Sequence, residues 1–234
     1  MTRFGNSPNL AAASALLAAA AFVHGPAQAA NGKLLVFLHV AVKQRALQGE
    51  LQAALPGIEV TAVGRIGDFE RTQKEGVDAV LAVPAVLAAF KLTAKLWGVR
   101  AGSIEEKYSL VGVGSEPDPS KITAVGALDL LGRDGTNGFV KGLLGASPRV
   151  ERVSKVEDLL PLLQMQRVEA VLLPSRLFSD IKSASKLALV QKELSKTVGL
   201  PAAAAVTAAG EQIMAEIKRM PTAADKTLGV DSWR

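Results

Sequence analysis

Val77-Asp78-Ala79-Val80-Leu81 and Val168-Glu169-Ala170-Val171-Leu172 agree at four of five positions, and the fifth is an acid in both. Each run follows an amphipathic helical pattern and reaches a proline within a few residues, Pro84 in the first case and Pro174 in the second. Five residues carry little weight alone; the matching order of elements around them carries more. A strand fed by one helix and leading into another is the βαβ unit, and two copies of it predict two similar α/β lobes in one chain.

Outward from the first copy, residues 33–40 read KLLVFLHV, a nearly continuous apolar run that suits a strand covered on both faces in a parallel sheet. Leu47, Leu51 and Leu55 recur every four residues, a helix stopped by Pro56-Gly57. Residues 58–63 read as a second strand, and Asp68 is placed to cap a short helix through Glu75. The run at 77–83 is the third strand, after which Pro84 opens a helix expected to reach about Leu96. A fourth strand follows at 108–113. Residues 114–120 combine Gly114, Ser115, Pro117 and Pro119, a turn-rich break.

Around the second copy the rhythm restarts at 122–125. Thr136 or Asn137 opens a helix through Leu144, and 150–153 is a strand. Ser154-Lys155-Val156-Glu157 has the spacing of a capping box. Its helix carries Val156, Leu159, Leu160 and Leu163 on one face, with Pro161 inside it. Residues 202–206 suit either a strand or a helix, and Thr207 is placed to cap a last helix bearing Ile213, Met214, Ile217 and Met220. These readings predict a first lobe at 30–114 plus 200–234, a second at 120–195, and hinge segments at 115–119 and 196–199.

The N-terminus has its own pattern. Arg3 is the only charged residue before Lys33, residues 10–23 are Leu, Ala, Phe and Val interrupted by Ser14 alone, and Pro26 precedes Ala27-Gln28-Ala29. A short positive region, an apolar core and an A-x-A triplet predict a signal peptide at 1–29, cleavage near Ala29 and export to the periplasm. The rival is an uncleaved anchor, for which the apolar run is short against the roughly 20 residues a span requires. The chain has no cysteine, so disulfides and lipid attachment through cysteine are excluded, and the exported chain must rely on its core.

The formal charge of +5 falls to +4 once Arg3 is removed (5 − 1), and Lys and Arg are scattered among Asp and Glu. No basic stripe with interleaved aromatics is present, so nucleic acid is not an expected partner. A mild preference for anionic ligands remains.

Little supports catalysis. Of two histidines, His24 lies in the leader and His39 is alone at the end of the first strand. There is no G-x-S-x-G, Walker or G-x-G-x-x-G motif, and no clustering of metal-ligating residues. Asp134 and Glu169 have no histidine or carboxylate partner in the pattern. No catalytic residue, metal or cofactor is expected. In open parallel sheets ligands bind at the carboxyl ends of strands, which makes His39, Arg65, Pro84, Ser175 and Arg176 candidate contacts. His39 is alternatively a satisfied, partly buried side chain, and Ser175 a helix cap. The segment Gly132-Arg133-Asp134-Gly135-Thr136-Asn137-Gly138 precedes a helix, and its small residues would let backbone N–H groups of Thr136, Asn137 and Gly138 approach an anion. An ordinary glycine-rich turn with a cap is the alternative.

Three stretches carry a family resemblance: 129–144, 162–173 (LLQMQRVEAVLL), and 200–233 with its closing Leu228-Gly229-Val230-Asp231-Ser232-Trp233. Through them the chain resembles the periplasmic solute-binding proteins of ABC importers, most of all the branch for phosphate, phosphite and phosphonate. The resemblance implies a two-lobed type II periplasmic-binding-protein fold, with mostly parallel sheets flanked by helices. It also implies a small ligand held between lobes and a membrane permease as partner, the binding protein itself being a monomer. The chain departs from that branch in offering only Thr136 and Asn137 as side-chain donors at the helix start. Two other functions fit the same fold. The apolar strand ends at 83–87 and 171–174 suit a carrier of a sterol or other lipid, and the thin set of polar candidates suits a sensory or scaffold module that binds a partner protein.

Overall fold

The structure, a computed structural model, describes residues 32–234. The expected signal peptide at 1–29 lies outside the described residues. The first apolar run forms β1 (Lys33–Phe37), buried except for Lys33. Next come α1 (Gln44–Ala54), which turns Leu47 and Leu51 inward, β2 (Glu59–Ala62), α2 (Ile66–Lys74) and β3 (Ala79–Ala82). β1 pairs in parallel with both β2 and β3. α3 (Pro84–Ala89) begins at the proline but ends well short of Leu96. Lys91 adopts a φ of 56° and Leu92 N–H donates back to the Leu87 carbonyl at 2.9 Å, a left-handed helix stop that the amphipathic pattern does not reveal. Residues 96–99 are instead β4 (Leu96–Val99), with alternating burial.

The second lobe repeats the plan. β5 (Glu105–Val113) enters it, and β6 (Ala124–Leu128), α4 (Gly132–Leu144) and β7 (Arg149–Val153) follow. A 3-10 turn at Val156–Asp158 runs into α5 (Leu159–Gln164) and then β8 (Ala170–Pro174). β6 pairs in parallel with β7 and β8, as β1 does with β2 and β3. After a 3-10 turn at Ser175–Leu177 come α6 (Phe178–Ser183) and β9 (Leu189–Gly199), which lies antiparallel along β5. The chain returns through β10 (Ala202–Ala205), α7 (Ala208–Ile217), α8 (Thr222–Leu228) and β11 (Ser232–Trp233).

The sheet orders are β11-β4-β10-β3-β1-β2 and β7-β6-β8-β5-β9. The two quoted runs therefore become β3 and β8, in equivalent places. Both sheets are mixed: a parallel half carries the βαβ units and antiparallel strands extend it. The acids that precede these strands do equivalent work. Asp78 accepts the N–H of Lys33 at the start of β1 (2.9 Å), and Glu169 accepts that of Thr123 just before β6 (3.3 Å).

Sheet membership moves the lobe boundary. β5 pairs with β8 and β9, so the chain leaves the first sheet at 100–104 and re-enters it at 200–201. The break at 115–119 is a turn within the second lobe, and 196–199 are the last residues of β9. Proline and glycine mark a turn, but they do not tell which sheet the flanking strand joins.

Three expected caps differ as well. Arg65 holds the N-cap position of α2, while Asp68 lies in its first turn and pairs with Arg71 at 2.8 Å. Ser154 makes no capping box, because a 3-10 turn with Lys155 at its cap position replaces the first helical turn. Thr207 does precede α7, but its hydroxyl donates to Asp78 Oδ1 at 2.5 Å instead of capping the helix.

Candidate functional site

The carboxyl ends of β1 and β2 face those of β6, β7 and β8 across a crevice between the lobes. Three cavities follow one another along it. The largest, about 610 Å³, lies between Arg65, Asp68 and Arg71 of the first lobe and Asp129, Arg152 and Ser154 of the second. The next, about 320 Å³, has His39, Lys43 and Gln44 on one wall and Ser154, Lys155 and Glu157 on the other. The third, about 340 Å³, lies beside the crossing segment, between Val40, Lys226 and Asp231 and the Arg176 side, with Arg100 at its edge. Ser154 lines the first two, and Val40 and Val42 line the second and third.

Local folding sets the polar groups. Where β6 ends, Asp129 Oδ1 accepts the Thr136 hydroxyl at 3.0 Å, and Thr136 Oγ1 accepts the Leu131 N–H at 3.0 Å. The other oxygen of Asp129 accepts Arg152 Nη1 at 2.9 Å. Gly135 makes this turn possible, since a Cβ there would lie 2.5 Å from Leu131 Cβ. Near the crossing, Arg176 and Glu106 form an ion pair at 2.9 Å with side chains 7% and 6% exposed. The Nε–H does not point along that line and makes no hydrogen bond, so the attraction is ionic. Burial raises the Glu106 carboxyl above its ordinary value, opposed by Arg176 and Arg100. The Arg176 guanidinium also reaches the first lobe: a Cβ on Gly229, whose φ is +78°, would lie 2.8 Å from its Nε. His39 is buried and stacks edge-on to Phe37 at 5.2 Å. Burial lowers its pKa to about 4, with Asp129 pulling it up and Arg176 pushing it further down. Its imidazole is therefore neutral near pH 7.

An apolar contact closes the crevice beside these groups. Leu130 of the second lobe is buried within the hydrophobic cluster of the first, and Leu131 and Phe139 pack against that cluster. Phe139 also meets Tyr108 edge-on at 5.5 Å, and burial raises the Tyr108 hydroxyl far above its usual value.

The expected site residues fall into two groups. His39, Arg65 and Arg176 line the crevice cavities. The others line none of the three. Pro84 packs on Gly199, where a Cβ would meet its Cγ at 2.5 Å. Thr136 is fully buried in the second turn of α4, which starts at Gly132 instead of at Thr136 or Asn137. Its hydroxyl is committed to Asp129 and Leu131, so it has no donor left for a ligand. Asn137 and Gly138 are exposed along the same helix. Ser175 Oγ shares a part-buried hydrogen bond of 2.7 Å with Ser109 Oγ of β5.

Sequence reasoning passed over Gln44, Glu106, Asp129, Arg152 and Ser154. The strand-end rule applied to β6 and β7 points to Asp129 and Ser154; Gln44 and Glu106 carry no such signal. Among the described residues no group of three or more His, Asp or Glu side chains is placed to hold a metal ion.

No family model and no curated protein matches this sequence. Among solved structures the chain is similar to a single-site variant of arginine-bound ArgBP from T. maritima, with a TM-score of 0.55 and 15% identity over 85% of this chain and 95% of that one. It is also similar to the VFT2 domain of Bordetella pertussis BvgS (TM-score 0.54, 12% identity, 84% and 86% covered). A third is the substrate binding protein of an amino acid ABC transporter (TM-score 0.53, 12% identity, 84% and 97% covered). At these identities the likeness is one of architecture: the chain has the two-lobed α/β fold of the periplasmic binding proteins.

Proposed function

We propose that this chain is an exported solute-binding protein that holds a small ligand bearing an anionic group, a carboxylate or other oxyanion, between its lobes. It would pass that ligand to a membrane permease of the ABC type, acting in the periplasm as a monomer and without catalysis. The observation that carries the reading is the largest cavity of the crevice, where guanidinium groups approach from both lobes. Arg71 is paired with Asp68 and Arg152 with Asp129, whereas Arg65 has no ion-pair partner among the described residues. A planar guanidinium at the N-terminal end of α2 suits a carboxylate or phosphoryl group. The solved structures with this architecture include proteins described as binding arginine, so organic acids and amino acids belong beside phosphate and phosphonates in a ligand screen.

A thermal-shift screen of the exported protein tests the reading. A ligand at 100 times its Kd stabilises the native state by about 2.7 kcal/mol, a rise of a few degrees in Tm. Stabilisation by an anionic compound, lost in Arg65→Ala, is the expected result. A second reading, an apolar cargo such as a sterol, is favoured by the Leu130, Leu131 and Phe139 contact, which a lipid would replace. Stabilisation by lipids alone would favour it, and a protein that responds to neither class would favour the partner-binding module.

A further inference from the structure

At the crossing end of the crevice a buried cation carries donors that no group of the chain meets. The Arg176 side chain is 7% exposed and lies beside Glu106, its Nε 2.9 Å from Oε1. Nε is enclosed and makes no hydrogen bond. Nη1 and Nη2 have no hydrogen-bond partner among the described residues either, but neither is enclosed, so the small accessible part of the side chain includes its end-on face. Gly229 covers the other edge from the first lobe, where a Cβ would lie 2.8 Å from Nε and 2.9 Å from Cδ. The outer pair of nitrogens is what remains open, and Arg176 lines the cavity of about 340 Å³. A guanidinium has five N–H donors, and folded proteins leave few such groups unpaired.

The polar side chains of the lining are Arg100, Arg176 and Lys226 against Asp180 and Asp231, with Thr227 adding a hydroxyl. Thr227 donates to Glu50 Oε2 at 2.6 Å, and Asp231 accepts the Ala101 N–H at 2.8 Å. Arg100, Lys226, Asp180 and Asp231 are exposed, and solvated charges of either sign contribute little. Arg176 is the buried one. We infer that Arg176 holds a carboxylate in this cavity, Nη1 and Nη2 each donating to one of its oxygens, the paired geometry that a planar fork offers. The lining carries one positive charge in excess, and Glu106 stands behind Arg176, so a monoanion matches it and a phosphate dianion exceeds it. An ammonium group meets Asp180 or Asp231 only at the exposed rim and leaves the guanidinium donors unmet. This rests on the reading of the crevice as a solute site and gives that site a second acid. The carboxylate is either the far end of an elongated diacid whose first acid lies at Arg65, or a separate small acid. Shared lining residues, Ser154 and then Val40 and Val42, join the three cavities between the two arginines.

Calorimetric titration of the exported protein with the α,ω-dicarboxylates from succinate to azelate, each set against the monocarboxylate of equal length, tests the inference. At least one diacid is expected to bind about ten-fold or more tighter than its monoacid, the value of a charge-assisted hydrogen bond. A second equivalent of monocarboxylate, lost on substitution of Arg176, would instead identify a separate acid at the same guanidinium. Removing Arg176 alone strands the buried Glu106, so the variant combines Glu106→Leu with Arg176→Met and exchanges the pair for apolar side chains. Arg176→Lys, which keeps the charge beside Glu106 without the planar fork, is a second route to the same loss. Each is expected to bring the diacid preference to within about two-fold of parity, or to abolish the second equivalent. The ratio is read within one variant, so a general loss of stability does not move it. Carboxylate binding that neither variant alters overturns the inference, and the solute-binding reading stands if Arg65→Ala still abolishes that binding. Binding of no carboxylate, nor of any anion in the wider screen, overturns both.

Discussion

His39 illustrates how burial converts a side chain into a pH-dependent load. The folded imidazole has its pKa lowered to about 4, from 6.5, chiefly because burial disfavours the charged form. Above pH 6.5 both folded and unfolded chains hold it neutral, and its contribution to stability is fully present. As pH falls from 6.5 toward 4 the unfolded chain takes up the proton first, and stability drops by about 1.4 kcal/mol per unit, roughly 3 kcal/mol in all. Glu106 bends the curve the other way: its raised carboxyl loses stability as pH rises through its folded pKa. The difference between wild type and His39→Phe isolates the imidazole. Urea denaturation from pH 4 to pH 7 is expected to show a shallower dependence in the variant, and equal slopes would rule out the imidazole as the source. The sequence marks His39 as a strand-end residue, but not as a buried one. That depends on Phe37 beneath it and on the second lobe above.

At the scale of elements, the repeated acid acquires a physical reason. Asp78 and Glu169 precede equivalent strands, and each accepts a backbone N–H at the start of the neighbouring parallel strand, that of Lys33 in β1 and that of Thr123 just before β6, a donor that would otherwise lack a partner at the sheet's end. Each acid also accepts a hydroxyl, but Glu169 takes that of Thr123 at the same strand start, whereas Asp78 takes that of Thr207 and so ties α7 to the sheet. Gly210 presses its backbone on the Asp78 carbonyl, where a Cβ would lie 2.1 Å away. Asp78→Ala is therefore expected to lower the urea midpoint more than Glu169→Ala, both remaining folded. Equal midpoints would show that the tie to α7 adds nothing. The run was legible in the sequence because its period and flanking prolines repeat, yet the role of its acid was not. A carboxylate that caps a neighbouring strand leaves no local pattern.

For the whole molecule, the contact that matters is the one that crosses the lobes. Leu130 follows β6 of the second lobe but is 4% exposed inside the first lobe's cluster. Burying a leucine is worth about 2 kcal/mol, enough to bias a closed arrangement over an open one by about thirty-fold. Leu130→Ser is expected to increase the radius of gyration in small-angle scattering without altering far-UV circular dichroism. An unchanged scattering curve would mean that closure rests elsewhere, with the Arg176 guanidinium against Gly229 the next contact to remove.

The sequence by itself determined the two α/β lobes, because the helix and strand periods are local and the quoted runs recur in the same setting. The strand-end rule named His39, Arg65 and Arg176, which line the crevice, but also Pro84 and Ser175, which do not, so the sequence did not decide which strand ends face it. Tertiary structure alone decided where the chain crosses between lobes, since β5 is assigned by its partners β8 and β9 and its own residues suit either sheet. It alone turned Thr136 inward to Asp129 and buried Gln44 Oε1 and the His39 nitrogens without hydrogen-bond partners. Whether a polar atom is satisfied depends on groups far away in the chain, and no reading of neighbours in sequence contains that distance.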